Sequence, residues 1–182
     1  MAEFAPALMV FILVVLLPLV NLLSFTTGYA SVAFLGQNCA VQASNSPTYA
    51  QALTEMRNAA TQMTASGIGQ FAKLAPVGGY LNSGVDLYIV ETDLNSKAVQ
   101  EYGPNTKLTA PADPTNKIYE FSVRTSYNVG PFLNLASIPF IGGVPLVGQP
   151  VRVTTVSHRA CEHDDALSYS SGFAPIAFNI AP

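Results

Sequence analysis

The sequence predicts an α+β chain: a long N-terminal apolar helix, then a small head in which one helix packs on an antiparallel β-sheet. Three observations carry that expectation. No Asp, Glu, Lys or Arg occurs from Phe4 to Thr54. Beyond that run, Leu53, Met56, Ala60 and Met63 recur at helical spacing. Residues 118–129 and 150–160 alternate between two sets of side chains, as strands with one buried face do. The 182 residues divide into an apolar helix and stalk over residues 1–45 and one modest head over residues 46–182.

The first helix is read from Phe4 to Phe25. At ~1.5 Å per residue it is about 33 Å long, enough to cross a hydrocarbon core of ~30 Å. Pro6 sits harmlessly in a first turn, whereas Pro18 inside the span should kink the helix or open a hydrogen bond. After Phe25 the residues become small and polar, and the helix is expected to continue as a stalk to about Ser44. Gly28 and Gly36 lower its intrinsic stability by about 1 kcal/mol each, and Gly, Ala, Ser and Thr in this zone allow close helix–helix approach.

Ser46-Pro47 reads as the cap and first residue of a second helix, running to about Ser66 with a continuation through Ile68, Phe71 and Leu74. Met56 and Met63 are core filling in this reading. Gly78-Gly79 and Gly142-Gly143 are turn residues. Val85, Leu87 and Ile89 begin the strands, and a polar loop follows over residues 95–116. In the strand over 118–129, Tyr119, Phe121, Val123, Thr125 and Tyr127 share one face; Val151 and Val153 mark the inner face of a third strand. The segment from Gly130 to Gln149 carries no charge, so it needs a cover: the sheet, a membrane surface or a neighbouring subunit. The tail from Gly172 to Pro182 alternates again and is expected to add an edge strand to its own sheet; the alternative is addition to a neighbour's sheet.

Glu3 stands just ahead of the apolar run, and the nearest cation is Arg57. A secretory signal peptide would begin with a basic region, and a simple anchor would carry Lys or Arg just cytoplasmic of the span. The missing basic flank points to a removed leader with a mature terminus near Met1; the alternative is that Met1 is the initiator. Glu3 either marks the water boundary or pairs with the free α-amino group of another copy. Such a buried pair would penalise wrong register, because an unpaired buried charge is costly.

A Glu3-Phe4 pair followed at once by an apolar helix with a Leu17-Pro18-Leu19 step resembles the TadE-like pilins of tight-adherence systems, relatives of type IV pilins. The later half is similar too. It has a strand containing Tyr127, an apolar loop with Pro139-Phe140 and Pro145-Leu146, and the Gly148–Val153 stretch. The resemblance implies assembly roles for Glu3 and Phe4 only; Pro18, inside the same helix, is a further candidate assembly residue. The resemblance also implies a prepilin peptidase and a pilus assembly machinery as partners, and a stay in the cytoplasmic membrane before export to a surface filament. The expected function is therefore a structural subunit that polymerises with copies of itself through its N-terminal helix. A minor, initiating component of such a system and a monomeric membrane protein with an exported binding domain are the alternatives.

Composition limits other readings. Charged residues make up 10% of the chain and the net charge is −3, so no basic patch exists for nucleic acid. Cys39 and Cys161, if exported, would form a disulfide closing a long loop and adding roughly 4–5 kcal/mol; the alternative is two thiols. The His158–Asp165 stretch reads as a solvated loop. Asp164 and Asp165 offer the ligand types of a weak calcium site, but the spacing matches no standard zinc motif. Neither a phosphate-binding loop nor a nucleophile elbow occurs, so a non-enzymatic protein without a cofactor is expected.

Overall fold

The structure is a computed structural model that describes residues 4–136 and 143–167, apart from the side chains of Asp165 and Ala166. It is an α+β chain, as the residue patterns predict. Helix α1 runs from Phe4 to Asn45. It ends because the residue before a proline is driven out of the helical region. Ser46, preceding Pro47, is extended at φ −76° and ψ 131°, and its hydroxyl turns back to donate to the Gln42 carbonyl at 2.7 Å. Helix α2 spans Tyr49–Ala65 and the short α3 spans Gly67–Phe71.

Five antiparallel strands follow: β1 (Ala75–Pro76), β2 (Val85–Asp93), β3 (Val99–Tyr102), β4 (Lys117–Val129) and β5 (Val151–Ala160). β4 is central. β5 lies along one edge; β2 lies along the other, where β1 pairs with the end of β4, and β3 flanks β2. The register Val85↔Thr125, Leu87↔Val123 and Ile89↔Phe121 puts apolar side chains on one face, since side chains two apart share a face. All six are buried.

The second half of α1 covers that face. Asn21, Ser24, Gly28, Val32, Leu35, Cys39 and Ala43 turn inward in steps of three and four residues, one stripe of a helix. Burying Val32 and Leu35 contributes about 1.5–3 kcal/mol each. Small residues set how close the helix comes. A Cβ on Gly28 would lie 2.4 Å from Val129 Cγ1, and one on Gly36 would lie 3.0 Å from Ser157 Oγ. Beneath Gly36, the Thr125 and Thr155 hydroxyls hydrogen-bond to each other across β4 and β5. The small residues expected to admit a neighbouring helix include these glycines, which admit the chain's own sheet.

Several expectations need correction. The cap of α2 is Thr48, not Ser46: Ser46 is occupied by α1, while the Thr48 hydroxyl accepts from Gln51 N–H at 3.2 Å. The continuation past Ser66 is a separate turn, because the Ser66 hydroxyl accepts from Gly69 N–H and starts α3. The 95–116 loop contains β3. The expected disulfide between Cys39 and Cys161 is not formed. Cys39 lies buried between α1 and α2 and its thiol donates to the Met56 carbonyl, whereas Cys161 follows β5, where its N–H donates to Tyr119 O. The tail from Gly172 lies outside the described residues.

Acidic side chains hold the head's turns. Asp93 accepts from Ser96 N–H at 2.7 Å and Asn95 N–H at 2.9 Å. Asp113 accepts from the Asn116 side chain and Thr115 N–H. The Ser96 bonds hold the Asp93 carboxyl below the usual carboxylate range, and the Asn116 amide does the same for Asp113.

Gly28→Ala gains helix propensity of about 1 kcal/mol but must push Val129 aside, and overpacking costs about 1–3 kcal/mol. Net destabilisation of about 1 kcal/mol is expected in urea unfolding of the full chain in micelles. Gly67→Ala, with nothing within 4 Å of its Cβ, should be neutral or stabilising. A lowered native pKa stabilises above the unfolded value of ~3.9, and that contribution is lost as pH falls through the native value. A variant carrying Asp93→Ala and Asp113→Ala should therefore be less stable than the parent at pH 6. The gap should close as pH drops below ~3.9, read from urea midpoints across the range.

Candidate assembly helix

Among the described residues, the N-terminal part of α1 is not packed against the rest of the fold. Neither Phe4–Phe11 nor Ile12–Leu16 contains a buried residue; Phe4 is 72% and Val14 67% exposed. Such a surface is unstable in water, because each large apolar side chain left wet forgoes about 1.5–3 kcal/mol. By length and composition α1 is able to cross a membrane. Glu3 lies outside the described residues, and Phe4 opens the described helix.

Pro18 leaves a local mark. A proline has no N–H for the carbonyl four residues back, and its ring crowds that carbonyl. The helix answers by widening: Ile12–Leu16 is a π-helical turn, and Leu17 N–H donates to Ile12 O, five residues back. A π-turn of this kind keeps an apolar helix hydrogen-bonded past a proline. The expected disturbance at Pro18 is therefore present as a π-turn immediately before it.

The boundary between exposed and packed helix falls at Asn21. This amide is 1% exposed and fully used. Nδ2 donates to Leu133 O at 3.1 Å and Val147 O at 3.0 Å, and Oδ1 accepts from Leu133 N–H at 2.8 Å. One turn on, the Ser24 hydroxyl donates to Phe71 O and Gly130 O. Phe132 packs on Phe71 with ring centroids 4.9 Å apart. The ends of the charge-free 130–149 segment are thus tied to the chain's own helices α1 and α3 at Gly130, Phe132, Leu133 and Val147, while Phe132 and Val144 keep exposed apolar surface. Pro139-Phe140 lies outside the described residues; Pro145-Leu146 forms a turn closed by Leu146 N–H to Gln149 O. Asn21 was not singled out from the sequence, although it is the one amide between Phe4 and Phe25. A polar residue inside an apolar span is the signal that finds it.

The other candidate residues do not converge on this helix. Asp164 and Asp165 lie in a single turn, Asp164–Leu167, and His158 is exposed on β5. Among the described residues, no three His, Cys, Asp or Glu come together as a metal cluster would.

Asn21→Leu should free the apolar segment from α1. It removes three hydrogen bonds and leaves Leu133 N–H unpaired, costing on the order of 2 kcal/mol. The expected readout is faster limited proteolysis between Gly130 and Pro150, with the protein still in the membrane fraction; an unchanged cleavage rate would contradict the pinning role. Comparison of the chain with family models, curated proteins and solved structures gave no match.

Proposed function

We propose that this protein is a structural, pilin-like subunit. It is held in a membrane by α1 before assembly and polymerises through that helix into an extracellular filament. The observation that carries the reading is the division of α1: its first part has no buried residue while its second part is built into the head. Apolar side chains from Phe4 to Leu16 are stable in lipid, and equally stable among the helices of neighbouring copies. Moving from one to the other exchanges two dry environments at little cost in hydration. The π-turn keeps the backbone satisfied in both settings. The same N-terminal stretch of sequence carries the Glu3-Phe4 and Leu17-Pro18-Leu19 features similar to TadE-like pilins, which supports a prepilin peptidase and an assembly machinery as partners. The role is non-catalytic and needs no cofactor.

Glu3→Ala tests the reading. Removing the carboxylate should reduce sheared surface filaments, counted by negative-stain microscopy, while the protein stays in the membrane fraction by immunoblot. Normal filament numbers from the variant would sink the pairing of Glu3 with a neighbour's α-amino group. A parent chain that remains a monomer or dimer and never appears in the sheared fraction would favour a membrane-anchored binding protein.

A further inference from the structure

Between α1 and the α2–α3 pair runs an open groove. At one end Thr26, Ala30 and Phe34 of α1 face Met63 and Ile68 across about 560 Å³. A smaller hollow of about 280 Å³, also bounded by Met63 and Ile68, extends it toward Gln42. No charged side chain lines either part. Phe34 is 59% and Ile68 55% exposed, so apolar surface lies open where the head leaves the span.

We propose that this groove receives the Phe4–Leu16 helix of a second copy of the chain. The inference rests on the filament reading and names the surface that the exposed helix would meet. Chemistry matches on both sides: the helix segment is apolar and uncharged, and the groove walls nearest the span are uncharged and mainly apolar, with hydroxyls only from Thr26, Thr27 and Ser31. Length matches as well. Phe4–Phe11 and Ile12–Leu16, of eight and five residues, extend about 20 Å; the more apolar wall from Thr26 to Phe34 extends about 12 Å along α1, and the hollow lined by Asn38, Gln42, Gln62 and Ser66 carries the groove to about 24 Å. Ala30, Thr26 and Thr27 are small enough to let a second helix approach closely.

A Phe4–Leu16 helix seated here must come from another copy. Phe4–Leu16 continues directly into the helix that forms one wall of the groove, and Asn21 and Ser24 lock that helix to the head. It cannot fold back without breaking α1. The exposed helix contributes thirteen residues, fewer than the roughly 20–30 a side of a stand-alone interface, so the groove is one of several contacts that a subunit makes in a filament. Helix and groove are different surfaces, so the contact is heterologous: each copy offers its helix to one neighbour and its groove to another. Such contacts form open filaments when the rotation does not close.

The test uses the full chain in sheared surface filaments, with a photo-cross-linking residue at position 30. The expected product is a dimer whose cross-linked peptide maps to residues 4–16. Filaments that form but cross-link position 30 to lipid, or to another part of the chain, would overturn the groove while leaving the filament reading intact. Failure of the unmodified chain to form filaments would overturn both. As a second measurement, Ala30→Glu places a carboxylate on the groove wall and should lower filament yield on the order of tenfold, with membrane insertion and head unfolding unchanged. Ala50→Glu, exposed on α2, should leave yield unchanged. Normal yield from Ala30→Glu would overturn the groove assignment.

Discussion

The close approach of α1 to the sheet is the constraint on which the rest of the molecule depends. Without side chains at Gly28 and Gly36, the helix lies against Val129 on β4 and against the hydroxyl pairs between β4 and β5. That contact lets one helix serve as a wall of the head's core and, without a break, as an apolar rod beyond it. A side chain at Gly28 would press on Val129, and one at Gly36 would crowd the Ser157 and Thr155 hydroxyls, on the same helix stripe as Val32, Leu35 and Cys39, which are fully or almost fully buried. Intrinsic helix propensity argues against two glycines here; tertiary packing outweighs it.

Asn21 and Ser24 complete the transition from rod to head. An amide in a run of leucines is costly unless each of its polar atoms has a partner. Here its donors and acceptor are met by the backbone of the 130–149 segment, which carries no charge of its own. The polar residue in an apolar helix thus finds its partners in the backbone of the charge-free loop. Together they hold the head against the helix where it would emerge from a membrane. The far end of the sheet is closed differently, by the Glu91–Lys117 ion pair at 2.6 Å and by Leu108 and Leu167 packed in the core.

Much of this architecture was legible in the residues. Alternation in 118–129 identified the inner face of β4, because the period of a strand is two whatever surrounds it. Pro18 announced a local defect, because the missing N–H is a covalent fact. The cap of α2 was misplaced by two residues: Ser46 and Thr48 are both competent caps, and the choice depends on Ser46 being engaged by the end of α1. β3 was hidden because Val99–Tyr102 is short and polar, and pairs only because β2 presents an open edge. The disulfide failed as an expectation because two cysteines distant in sequence say nothing about which surfaces their thiols face.

What the sequence alone determined is the long charge-free helix, the α+β composition of the head and the inner faces of its main strands. These follow from hydropathy and period, which are local. Only the tertiary structure decided that the small residues of α1 meet the chain's own sheet, that Asn21 pins the apolar segment, and that an open groove remains beside α1. Each of those depends on distances between residues far apart along the chain, some of them more than a hundred positions, and on how closely packed backbones can approach.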